Sequence, residues 1–248
     1  MQTSQITRYE HPLTEKVRIY LRLDYLLRQM QHSSNQNDPW QYKIFFNALF
    51  DLLEILDQVQ VKTDLAKDID KQRQQLKSWL NIDGVDEYAL QQMIDAMEQA
   101  HKALISSPRL GQSLREDRFL SSIKQRFSIP GGSCCFDLPS LHHWLHLPNE
   151  EKQSAMKAWL GELDELQDAL NLWLKLIRET AQYKTHHARN GFFQYDAEDA
   201  CLLRLEICAE DGVYPMISGH RNRFAIRFSP FTEGEPVASD LEFKLAIC

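Results

Sequence analysis

Residues 221–228, RNRFAIRF, are the segment whose residue types point most directly at chemistry. With the strand period of two, Phe224, Ile226 and Phe228 fall on one face and Arg221, Arg223, Ala225 and Arg227 on the other. Guanidinium groups in a row suit bidentate pairing with carboxylates, and their weak hydration makes them better receptors for acidic segments than lysine. A second row is expected upstream. If residues 112–127 form one helix, Arg115, Arg118, Ser122 and Arg126 lie within about 80° of one another, with Leu120, Ile123 and Phe127 elsewhere. A solvated face making ordinary surface ion pairs is the competing reading of that row. Two rows on neighbouring elements would make one basic groove.

Other chemistry is weaker. His142, His143 and His146 stand at spacings that share a helix face and could bind zinc. The third ligand and the carboxylate base of an H-E-x-x-H site are missing, and Leu141, Trp144, Leu145 and Leu147 around them read as core. Packing or hydrogen-bonding histidines are therefore favoured, with a metal-dependent hydrolase using His143 and His146 as an alternative. Cys134 and Cys135 follow a Gly-Gly turn but lack any nucleophile signature. No phosphate-binding glycine loop and no dinucleotide fingerprint occurs. The chain is thus expected to be non-enzymatic, with no catalytic residue, metal, cofactor or small-molecule substrate.

Composition agrees with a binding role. The chain has 248 residues, 25% charged and 43% hydrophobic, ordinary for a globular protein able to bury a full core. Its net charge of −7 argues against a general nucleic-acid binder. Residues 51–100 hold eleven acidic against five basic side chains, whereas residues 101–131 hold six basic against two acidic. A local basic region in an acidic protein suits a selective acidic partner. An adaptor for RNA or another polyanion, acting through the same arginines, is the other alternative. Five cysteines at irregular spacing read as buried free thiols. No run of about 18 apolar residues occurs. The first residues lack a secretory pattern, so a cytosolic protein is expected.

The elements that must hold these residues divide into two periods. Helical patterns are expected from Pro12 to Met30, over residues 40–59, after a cap at Thr63 and Asp64, over residues 86–105, from Pro139 to before Pro148, and over residues 156–183. Residues 40–59 are apolar almost all round, which places them deep in a core or at a subunit interface; Phe45 to Leu56 are the first candidates for the latter. Beyond Gly191 the period becomes two: Leu203, Leu205 and Ile207 share a face, as do Leu241, Phe243, Leu245 and Ile247. The expected fold class is α+β, an N-terminal α-helical bundle domain (1–185) followed by a small antiparallel β-sheet domain (186–248). An N-terminal strand around 4–10 is expected to join that sheet.

The segments REDRF, QRFSIPGGSCCFDLPSLHHWLHLP, LLRL and YPMISGHRNRFAIRF resemble the ZapD family, cell-division proteins associated with FtsZ in gammaproteobacteria. The likeness runs from EHPLTEKVR to LEFKLAIC, essentially the whole chain. It implies a cytoplasmic homodimer at the mid-cell division site, with the helical part the expected seat of dimerisation. It also implies binding of the FtsZ C-terminal tail in a positively charged pocket, bundling of FtsZ filaments and support of Z-ring assembly. Arg118 matches the second arginine of the family's LREDR motif, and Arg223 and Arg227 match those of SRFAIR, with Asn222 here where the serine often stands. Arg115, Arg126, Arg221, His142 and His143 join the partner-binding set by face and proximity in sequence.

Overall fold

The computed structural model describes residues 5–80, 82–220 and 223–248. The chain forms two compact units, residues 22–173 and residues 1–21 with 174–248.

The first unit is helical, and the chain's first and last helices run past its bounds at residues 22 and 173. Along the chain run α1 (Glu15–Ser34), α2 (Pro39–Gln58), α3 (Val61–Lys77), α4 (Glu87–Ser106), α5 (Gln112–Glu116), α6 (Arg118–Phe127), α7 (Pro139–Leu145), α8 (Asn149–Gly161) and α9 (Asp164–Thr180). Pro12 closes a strand instead of opening a helix; α1 starts at Glu15 behind Thr14, whose Oγ1 accepts from Val17 N at 3.3 Å. The segment after α2 also starts earlier than expected. Thr63 and Asp64 lie inside the first turn of α3, where the Asp64 carboxylate faces the positive end of the helix dipole. The pattern over 156–183 is interrupted at Glu162 and Leu163, giving α8 and α9.

The core of this unit is aromatic. Phe46 of α2 is fully buried, with ring centroids 5.2–6.3 Å from Phe45, Phe50, Phe119, Phe127, Trp144 and Trp159. That surround explains why α2 is apolar on nearly every side. Phe45, Phe46, Leu49, Leu52 and Leu53 are buried within the single chain, so of the two places expected for this helix these side chains take the core. Alongside, α3 and α4 form a hairpin. Leu65, Ile69 and Leu76 face Leu90, Ile94, Met97 and Leu104 inside it, and Arg73, paired with Asp70 on its own helix, reaches Glu98 across it.

The other unit carries an antiparallel sheet of seven strands among the described residues, ordered β1–β4–β7–β2–β3–β6–β5. The strands are β1 (Ile6–Pro12), β2 (Lys184–Arg189), β3 (Phe192–Asp196), β4 (Leu202–Cys208), β5 (Val213–His220), β6 (Arg223–Pro230) and β7 (Asp240–Ile247). The expected alternation holds: Leu203, Leu205, Ile207, Phe224, Ile226, Phe228, Leu241, Phe243 and Leu245 form one buried cluster. Pro12 and Pro215 sit on β1 and β5, the two edges, where a missing N–H costs no ladder bond. Asn190 (φ 50°) and Gly191 (φ 70°) make the tight turn between β2 and β3. A Cβ on Gly191 would lie 2.9 Å from Val237 and 3.1 Å from the Phe228 carbonyl, so this turn can close only on glycine.

The cysteines differ from expectation. None forms a disulfide, but Cys135 is exposed and the other four are half-buried, so they are not interior residues. Burial pushes the Cys248 thiol up to about 11, which makes it a poor nucleophile.

Candidate functional site

Position 117 decides what the first arginine row looks like. Asp117 adopts extended backbone (φ −62°, ψ 123°) and ends α5 while capping α6, its carboxylate accepting from Leu120 N at 2.8 Å. Its other oxygen accepts from Trp159 Nε1 at 3.2 Å, tying the cap to α8. The continuous helix expected over 112–127 is therefore broken, and Arg115 leaves the row.

Arg115 instead clamps the chain inside its own unit. Its Nη1 donates to the Leu110 carbonyl at 2.7 Å, its Nη2 lies 2.9 Å from Asp57 Oδ1, and its side chain is 17% exposed. Here a cap side chain, with a partner 42 residues away, outweighs the helical period at one residue.

What remains on α6 is a compact cationic surface. Arg118 stands at its first residue and Arg126 in its last turn, both exposed, about 12 Å apart along the axis. Leu120 and Ile123 anchor the opposite side. Among the described residues, no carboxylate lies within ion-pair distance of Arg118 or Arg126. Phe119, next to Arg118, stacks on Trp144 of α7 with centroids 5.8 Å apart. His142 and His143 are exposed on α7 beside that contact, while Leu141 and Trp144 face the core. His146 Nδ1 engages the His142 carbonyl at 2.7 Å, and the two rings are 4.5 Å apart. Among the described residues, no three His, Cys, Asp or Glu side chains gather as metal ligands.

Replacing Asp117 by alanine removes two accepted hydrogen bonds at once. We expect a loss of about 1–3 kcal/mol in denaturant unfolding. A change below about 0.5 kcal/mol would mean that water replaces both bonds.

The second row keeps its expected form. Arg223 and Arg227 are exposed on β6 opposite the buried Phe224, Ile226 and Phe228, about 13 Å apart along the strand. Arg221 lies outside the described residues. The two described arginines differ in state. Asp196 of β3 pairs with Arg223 in register, Oδ1 to Nε at 2.5 Å and Oδ2 to Nη2 at 3.2 Å. Hydrogen bonding from Arg223 holds the Asp196 carboxyl below its ordinary value, and Asp196 raises Arg223 in turn. Arg227 has no such partner among the described residues. Its cross-strand neighbours are Phe192 and Met216, both exposed, which no reading of β6 alone could supply. The Asn190-Gly191 turn fixes only the β2–β3 hairpin, whereas Phe192 meets Arg227 through a pairing of strands far apart in the chain.

A family model described as ZapD, cell division protein, matches residues 21–227. A cell division protein ZapD of Photobacterium profundum is 67% identical over 244 residues, covering 98% of this chain and all of the relative. Relatives of the same description from Vibrio vulnificus and Aliivibrio salmonicida are 56% and 53% identical, over 97% of this chain and 98% and 97% of their own lengths. Among the described residues, no helix is long and apolar enough to cross a membrane.

Proposed function

Because the chain belongs to the ZapD family of cell division proteins, we propose that it binds the C-terminal tail of FtsZ through its exposed arginines. As a homodimer in the cytoplasm, non-enzymatic and without cofactor, it would cross-link FtsZ filaments at the mid-cell division site and promote Z-ring assembly. One observation carries the reading: among the described residues Arg118, Arg126 and Arg227 stand exposed and without acidic partners, as do Arg22 and Arg189, while Arg8, Arg18, Arg28, Arg73 and Arg109 are each held by a carboxylate of this chain. In a protein of net charge −7, open guanidinium groups suit an acidic segment from outside. His142 and His143, exposed on α7, are the secondary candidates on the helical unit.

Single exposed ion pairs bind weakly. Two sites on one dimer facing a polymer of tails raise the effective concentration, so modest site affinity suffices to bundle filaments. The test is light scattering of FtsZ polymerising with GTP, with and without this protein, beside FtsZ lacking its C-terminal tail. Scattering should rise only with intact tails. An equal rise with tailless FtsZ, or none with either, would refute the reading.

A further inference from the structure

The exposed side of β6 is not purely cationic. Antiparallel partners directly opposite one another project from the same face, so the register Phe192–Arg227–Met216 places an aromatic ring and a thioether on either side of one guanidinium. Phe192 is 45% and Met216 55% exposed, and Tyr214, 39% exposed, follows in the next outward position of β5. Three large apolar side chains thus surround the open arginine of β6. Further along the strand, the row Gln194–Ala225–Ser218 is uncharged, and beyond it Asp196 closes Arg223.

We propose that Phe192 and Met216 form an apolar anchor site beside Arg227, which selects an extended peptide carrying an acidic side chain with an apolar one within a residue or two. This rests on the tail-binding reading and names what the tail must present. The charge pattern favours a peptide over a polyanion. Elsewhere on this sheet face carboxylates stand against the cations, with Arg8 against Glu206, Arg204 against Glu10 and Arg223 against Asp196 as ion pairs, and Asp240 opposite the exposed Arg189 in register. A phosphate backbone laid across the face would meet those carboxylates as well as the arginines. One acid flanked by an apolar group meets Arg227 and its two neighbours, with Arg189 beyond Phe192 as a second cation at the edge of the site. An arginine between apolar surfaces is also less well solvated, which strengthens its pairing with a carboxylate.

The test uses the full-length protein and a fluorescein-labelled FtsZ-tail peptide, read by anisotropy, with two peptide variants: apolar residues changed to serine, and acids changed to asparagine. The protein variants are the double variant Phe192→Ser/Met216→Ser and Arg227→Glu, each checked by circular dichroism. The double variant should bind the natural tail about five- to tenfold more weakly, with an unchanged salt slope. It should bind the serine-substituted tail as the unaltered protein does, because the lost contact is then already missing. Equal affinity of double variant and unaltered protein for the natural tail, while Arg227→Glu fails to bind, would overturn the anchor and leave tail binding standing. Full binding by Arg227→Glu would remove β6 from the site altogether. Displacement of the tail by oligouridylate, with RNA affinity itself lowered by Phe192→Ser/Met216→Ser, would mean that the rings stack bases and would overturn the peptide assignment.

Discussion

Replacing Phe46 by alanine should cost about 3–5 kcal/mol in denaturant unfolding, the largest stability loss expected from any single truncation in the helical unit. The ring is wholly inaccessible and touches six other aromatic rings contributed by α2, α6, α7 and α8. None of these rigid neighbours can fill a phenyl-sized void without leaving its own contacts, so the cavity persists and adds to the lost transfer energy. The consequence reaches the cationic surface. Phe119 and Phe127, on either end of α6, both lean on Phe46, so loosening that ring should also loosen the helix that carries Arg118 and Arg126. A leucine at this position should lose less, because it retains most of the apolar volume. Phe46→Asp should leave no cooperatively folded protein. A well-folded monomer from that variant would instead make α2 a subunit interface.

That contrast marks where the amino-acid pattern stopped being informative. Periodicity told that residues 40–59 were apolar on most sides, but a helix in the middle of a bundle and a helix between two subunits have the same pattern. Only the positions of Phe119, Trp144 and Trp159, far along the chain, distinguish them. The strands were easier to read, since burial of one sheet face imposes a period of two locally; Phe224, Ile226 and Phe228 needed no knowledge of their neighbours. The two arginine rows divided along the same line. Arg223 and Arg227 follow from strand alternation alone. Arg115 was misplaced because Asp117 interrupts the helix to serve both as a cap and as an acceptor for Trp159. The state of each arginine was likewise hidden, since the pairing of Asp196 with Arg223 and of Phe192 with Arg227 depends on cross-strand register.

That register makes the two arginines of β6 unequal in a measurable way. Arg227→Ala should weaken binding of the FtsZ-tail peptide about tenfold, and Arg223→Ala clearly less. Either substitution removes one positive charge, so the long-range field at the tail changes equally in the two variants. What differs is the direct contact. Arg227 is open to an incoming carboxylate, whereas Arg223 already donates twice to Asp196, and a partner must exchange with that carboxylate to reach it. By the same reasoning Asp196→Asn should tighten binding two- to fivefold, since it weakens the hold on Arg223 and removes a negative charge from the face. It should also steepen the salt dependence, because one more cation then faces the partner. Peptide titrations of the three variants at two salt concentrations read all of these effects together. Equal losses for Arg223→Ala and Arg227→Ala, with no gain from Asp196→Asn, would mean that the Asp196–Arg223 pair opens freely in solution and that the tail meets two equivalent arginines. The predicted order, with Arg227 dominant and Asp196 opposing, would make β6 a site in which one arginine receives the partner and the other is restrained by the protein's own carboxylate.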